Sequence, residues 1–113
     1  STMTDTTEGV ILLYTTWPDA VSAEAAASRL LEERLIACAN ILGESRSTYR
    51  WEGQVQSERE VIALFKTSSA ACERARDALL TLHPYDEPCV LAFGAEANAS
   101  AESFAQWVQT EVV

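Results

Sequence analysis

The chain has 113 residues and a mass of 12.4 kDa, enough for one core and not for two. Eight Lys and Arg against 17 Asp and Glu leave a net charge of −9, so the mean field repels phosphate backbones and anionic lipid surfaces and gathers cations. Apolar residues make up 48% of the chain, but no apolar run approaches the roughly 20 residues of a membrane-spanning helix.

Ser1 and Thr2 ahead of Met3 read as a cloning remnant, and residues 1–8 as a flexible polar leader with no secretory signal. Residues 9–16 (GVILLYTT) are apolar almost throughout, which predicts a strand buried on both faces. Pro18 stops it and stands near the first position of a helix, where a missing N–H costs nothing. Asp19 and Glu24 suit the positive end of that helix. Ala23, Ala27, Leu30 and Leu31 then form an Ala-rich stripe, and the helix is expected to run to about Ile36.

Residues 38–42 (CANIL) predict a short second strand, with Gly43 permitting a bend or bulge. Residues 45–51 continue extended and place Ser47, Tyr49 and Trp51 on one face. Glu52-Gly53 marks a hairpin turn. The return arm alternates Val61, Ala63 and Phe65 against Glu60, Ile62, Leu64 and Lys66. Arms this long exceed the usual strand of about five or six residues, so the hairpin is expected to overhang its domain. Ser68 or Ser69 is a candidate cap for a second helix carrying Ala71, Ala75, Ala78, Leu79 and Leu82, which His83-Pro84 ends. A fourth strand is expected over 89–95 (CVLAFGA). Asn98 or Ser100 then opens a third helix with Phe104, Trp107 and Val108 on one face.

This order predicts an α+β chain, a single domain over 9–113: a ferredoxin-like β-α-β-β-α-β antiparallel sheet with its helices on one face, plus a C-terminal helix. Strands 1, 3 and 4 are apolar on both sides, so the face the helices leave bare needs a cover. Another copy of the chain is the expected one.

Catalytic signatures are missing: there is no GxxxxGK[ST], GxGxxG or GxSxG, and only one histidine. No catalytic residue is assigned, and the chain does not read as an enzyme. Cys38, Cys72 and Cys89 are odd in number and form no CxxC, which fits reduced thiols in the cytoplasm. His83 has two readings. A neutral ring can bind a metal with a thiolate such as Cys38 or Cys89, or with carboxylates, whereas a protonated ring suits the negative end of a helix. Tyr49 and Trp51 suit either an interface or cross-strand pairing within the chain. Glu58, Glu60 and Lys66 are unusual in a sheet, and are either solvated near the tip or line a cleft.

Five blocks, in order, carry a family resemblance: TTWPD at 15–19, AxxLLEERLIACANI at 27–41, STYRWEG at 47–53, EVIALFKT at 60–67 and HPYDEP at 83–88, with Trp107 as a final aromatic. Over about residues 9–112 the chain resembles the CutA family of divalent-cation tolerance proteins. The resemblance implies a homotrimer, similar to the PII signalling proteins, whose long hairpins reach onto neighbouring subunits. It also implies a part in tolerance to copper and other divalent ions, with divalent copper as the bound metal. The copper ligands proposed in that family are a Cys in the first strand and two adjacent His before Pro-Tyr. Those positions here are Thr15, Leu82 and His83, so one of the three is kept; a metal could bind through His83, Cys38 or surface carboxylates in a different geometry, and His83 and Cys38 are the metal candidates of this chain. The alternative implied by the PII likeness is a metabolite sensor whose inter-subunit cleft uses Tyr49, Trp51, Glu60, Lys66 and Tyr85. A docking scaffold without a small ligand is a third reading. No nucleic-acid or membrane partner is expected.

Overall fold

The computed structural model describes residues 9–113; the expectation for residues 1–8 lies outside the described residues. Strand β1 (Val10–Trp17) leads into helix α1 (Ala20–Glu32), and β2 (Cys38–Trp51) and β3 (Gln54–Ser68) form a hairpin. Helix α2 (Cys72–Leu82), strand β4 (Val90–Gly94), a short 3₁₀ turn (Ala97–Ala99) and helix α3 (Glu102–Glu111) follow. The four strands make one antiparallel sheet in the order β2-β3-β1-β4. This is the ferredoxin-like arrangement, in which each helix crosses over a strand inserted between its two partners. Among the described residues, no helix is long and apolar enough to cross a membrane.

The pleat divides the sheet cleanly. Leu13, Thr15 and Trp17 of β1 and Val61, Ala63 and Phe65 of β3 point to the helix side and are buried. Ala23, Ala26, Ala27 and Leu30 of α1 and Ala75 and Leu79 of α2 close over them. The small alanines let α1 lie close to the sheet. The stripe runs through Ala26 rather than Leu31, which is exposed. Asp19 is the N-cap, its carboxylate accepting from Ser22 N–H at 2.8 Å.

Helix α1 stops at Glu32, four residues before the expected end. Arg34 adopts a left-handed conformation with φ 58°, and its guanidinium donates to the carbonyls of Glu111 (3.0 Å) and Thr110 (3.1 Å) at the end of α3. One side chain thus caps the carbonyl end of another helix while its own backbone ends the first. Nor do Ser68 and Ser69 cap α2 at its first turn. The N-cap is Ala71, whose N–H reaches the Ser68 hydroxyl at 3.1 Å.

The second strand is continuous through Gly43. The register with β3 slips between Ile41 and Glu44, so Leu42 and Gly43 together stand opposite Ile62. That is a bulge, and Gly43 takes it at φ 81°. At the tip, Glu52 (φ 51°) and Gly53 (φ 79°) are both left-handed, as a tight two-residue hairpin turn demands. Beyond Val61, which pairs with Trp17, β3 keeps only β2 for a neighbour, so the outer hairpin is a free arm. The described molecule accordingly measures 48 × 28 × 22 Å.

The opposite sheet face carries Leu12, Tyr14, Ile62, Leu64, Leu91 and Phe93, with Leu91 and Phe93 each more than half exposed. Helix α3 covers one end of it: Val108 and Val112 pack with Ala37, Ala71 and Val10. Phe104 and Trp107, expected on one face with Val108, lean on each other at 5.5 Å and stay about half exposed, whereas Val108 is buried. The rest of the face is bare.

Thr15 ties the centre together: its hydroxyl donates to Ala63 O (2.7 Å) and accepts from the Trp17 indole N–H (2.6 Å), all fully buried. Thr15→Val keeps the shape and orphans the indole. The variant is expected to lose about 1–3 kcal/mol of stability, read by urea unfolding.

Candidate functional site

The core opens onto a surface groove through a line of aromatic rings. Trp17 lies 6.2 Å from Phe65 and stacks on His83 at 4.1 Å, and His83 meets Tyr85 at 4.8 Å. His83 is the C-cap of α2, so the stack pins the helix end and the following loop against the end of β1. Tyr85, Asp86 and Glu87 of that loop then face the root of the hairpin arm. Together with Thr16, Ser47, Tyr49, Trp51, Glu58, Glu60 and Cys89 they enclose a groove of about 830 Å³.

The groove is acidic. Glu58, Glu60, Asp86 and Glu87 line it and no Lys or Arg does. Glu60 is only 9% exposed, yet it forms no ion pair among the described residues. A buried carboxylate without a cation concentrates negative potential at the groove floor. Its effect shows on its neighbours. Burial, then the hydrogen bond and charge of Glu60, push the Tyr85 phenol up to about 12. Tyr49 is raised too, first by its hydrogen bond to Glu58. Burial, and secondarily Glu60, raise the Cys89 thiol, so a soft metal would have to displace its proton.

Tyr49, Trp51, Glu60 and Tyr85 therefore share one site. Lys66 does not: it sits at the other end of the sheet, opposite Leu12, where its ammonium donates to Asn40 Oδ1 at 2.7 Å and stands 5.6 Å from the Phe104 ring. There it borders a separate apolar pocket of about 330 Å³ between Leu12, Phe93 and α3. Strand alternation put Glu60 and Lys66 on one face, but not how far along that face each would lie from the α2–β4 loop. Sequence reasoning missed Asp86 and Glu87 as groove residues. The stack that places their loop is a tertiary contact between residues far apart in the chain.

The metal candidates are also apart. Cys38 opens β2 opposite Lys66, whereas His83 lies beside Thr16 at the far end of β1. Of the positions of the family ligand set, Thr15 and His83 touch Trp17 and Leu82 packs against the core cluster. The His83 ring spends both nitrogens on backbone: Nε2–H donates to Thr16 O at 2.7 Å, and Nδ1 accepts from Tyr85 N–H at 3.2 Å. That ring is neutral, as burial requires, and it has no lone pair left for a metal. It is also not the protonated ring of a helix-end charge pair. Among the described residues no three His, Cys, Asp or Glu groups converge tightly enough to form a metal cage.

Burial lowers the His83 pKa below its ordinary 6.5, against smaller opposing contributions from the Thr16 carbonyl and Glu60. As pH falls, the unfolded chain therefore takes up this proton before the folded one does. The contribution of His83 to stability is whole above 6.5 and is lost as pH drops through the folded-state value. His83→Gln is expected to flatten the fall in unfolding free energy just below pH 6.5, measured by urea titration at a series of pH values. An equally steep fall would count against a buried neutral ring.

The family described as CutA1 divalent ion tolerance protein matches residues 11–111. The divalent-cation tolerance protein CutA of Pyrococcus horikoshii is 40% identical over 102 residues, spanning 90% of this chain and 97% of that protein. The crystal structure of divalent ion tolerance protein CutA1 from Ehrlichia chaffeensis superposes with a TM-score of 0.86 at 32% identity, covering 93% of this chain and 96% of that one. The structure of the periplasmic divalent cation tolerance protein CutA from Archaeoglobus fulgidus gives 0.86 at 33% identity, covering 92% and 99%. With sheet order, helices and nearly the whole length in common, this chain belongs to the CutA1 divalent ion tolerance family.

Proposed function

We propose that this protein serves divalent-cation tolerance as a non-enzymatic, self-associated binding protein, a homotrimer in the cytoplasm, whose acidic groove draws in divalent cations. One observation carries the reading: a groove lined by four carboxylates and no cationic side chain, with Glu60 buried at its floor. Oxygen donors from Glu60, Asp86 and Glu87 form an open, partly hydrated site. Water or a neighbouring copy supplies the remaining ligands, since one chain assembles no cage. Copper ranks high among the cations for such a site, because affinity across the first-row divalent ions peaks there. The bare, apolar half of the sheet supports self-association: a monomer would leave Leu91 and Phe93 in water. Three free thiols fit a reducing compartment.

Calorimetric titration of the metal-stripped protein with Cu²⁺ and Mn²⁺ tests this. Saturable binding is expected, with Glu60→Gln weakening it about tenfold, the cost of roughly 1.4 kcal/mol in lost attraction. His83→Gln should leave the affinity in place. Absence of saturation, or indifference to Glu60→Gln, would overturn the groove as the cation site.

A second reading, a cleft that takes a small metabolite, is favoured by the groove's size and its four aromatic rings, Tyr14, Tyr49, Trp51 and Tyr85. It predicts a ligand-dependent rise in melting temperature across a metabolite panel, and a flat response would remove it.

A further inference from the structure

The groove brings together all three tyrosines of the chain, Tyr14, Tyr49 and Tyr85, and adds Trp51. A divalent metal would use the charge of this site and leave the rings idle. Those rings are open: Tyr49 and Trp51 are 37% and 50% exposed, so much of their surface is free for a ligand. Among the described residues, neither Tyr14, Tyr49 nor Trp51 packs on another ring, and the cation set over an aromatic face is Lys66, on Phe104 in the other pocket. Strand alternation keeps the arm's own cations away. Arg46, Arg59 and Arg50 point to the reverse face, while Tyr49 and Trp51 share the groove face with Glu58 and Glu60.

Four carboxylates stand among these rings, Glu58 and Glu60 on the arm and Asp86 and Glu87 on the loop, with no Lys or Arg. Glu60, at 9% exposure and without an ion pair, keeps a charge that water offsets only in part. Tyr49 bonds Glu58 and Tyr85 bonds Glu60, and both phenols stay protonated, with neutral, electron-rich faces. Those bonds use acceptor capacity of the two acids without cancelling their charge. The fitting ligand is therefore a cation that asks for few hydrogen bonds and shows an apolar shell to the rings. A primary ammonium has three donors to satisfy. A trimethylated nitrogen has none, and its charge is spread over methyl groups that rest on aromatic faces. We infer that the groove is a site for a small quaternary ammonium compound, held by the rings of Tyr49, Trp51 and Tyr85 and by the charge of Glu58 and Glu60. The inference rests on the small-molecule reading of the groove given above and names its ligand class. The volume of about 830 Å³ leaves room for a short polar chain on the cation. Asp86 and Glu87 disfavour an anionic group on that chain.

Calorimetric titration of the wild-type protein with choline chloride tests this, at ionic strength held constant with NaCl. Two relatives serve as comparisons: the neutral alcohol in which carbon replaces the choline nitrogen, and glycine betaine, which adds a carboxylate. Choline is expected to saturate, and both relatives to bind at least about tenfold more weakly, since one lacks the charge and the other opposes it. Trp51→Leu removes one exposed ring and should weaken choline about tenfold, with Trp51→Phe recovering most of the loss. The comparison of ligands needs no substitution, so it stands whatever Trp51→Leu does to the fold. Choline without saturation, a neutral alcohol that binds as well, or a folded Trp51→Leu chain with unchanged affinity overturns the inference. Saturation by neutral or anionic metabolites in place of choline removes this ligand class and leaves the cleft standing. A flat response to every compound, choline included, removes the cleft itself.

Discussion

The stack of Trp17 on His83 is the contact on which the groove depends. Trp17 ends β1 at the centre of the sheet and is wholly buried, its N–H held by Thr15 and its ring flanked by Phe65 and His83. His83 is at once the end of α2 and the anchor of the next loop, through bonds to Thr16 O and Tyr85 N–H. The stack therefore converts core packing into surface geometry. It holds Tyr85, Asp86 and Glu87 against an arm that comes from a different part of the chain. An imidazole used this way is a structural joint, and its neutrality follows from burial rather than from any task in proton transfer.

Part of the charge is clustered on the surface. Four of the 17 carboxylates line the groove, three of the seven arginines stand on the reverse of the arm, and the one lysine lies at the far end of the sheet. Such clustering raises the local potential above what a net charge spread evenly would give. The exposed apolar half of the sheet, with Leu91 and Phe93, is the other marked surface feature.

Much of the architecture was legible in the residues themselves. Apolar runs, the Glu52-Gly53 turn, the Ala-rich stripe and the His83-Pro84 stop are local signals, and they gave the element order and the overhanging hairpin. The misses share one cause. Helix α1 ends early because Arg34 is claimed by the end of α3, and Lys66 leaves the groove because distance along a strand decides who its neighbours are. Asp86 and Glu87 join the groove only because an aromatic stack between distant residues turns their loop inward.

By itself the amino-acid order determined the strand and helix sequence, the two-faced alternation of the arm, the acidic balance and the membership signalled by five spaced blocks. These rest on periods of two and 3.6 residues and on turn chemistry, which act over a few positions. Only the tertiary structure decided that Tyr49, Glu60 and Tyr85 meet while Cys38 and His83 do not, and that both His83 nitrogens are already bonded. Which side chains converge depends on how strands register and where helix ends are pinned, and those are settled by packing across the whole sheet.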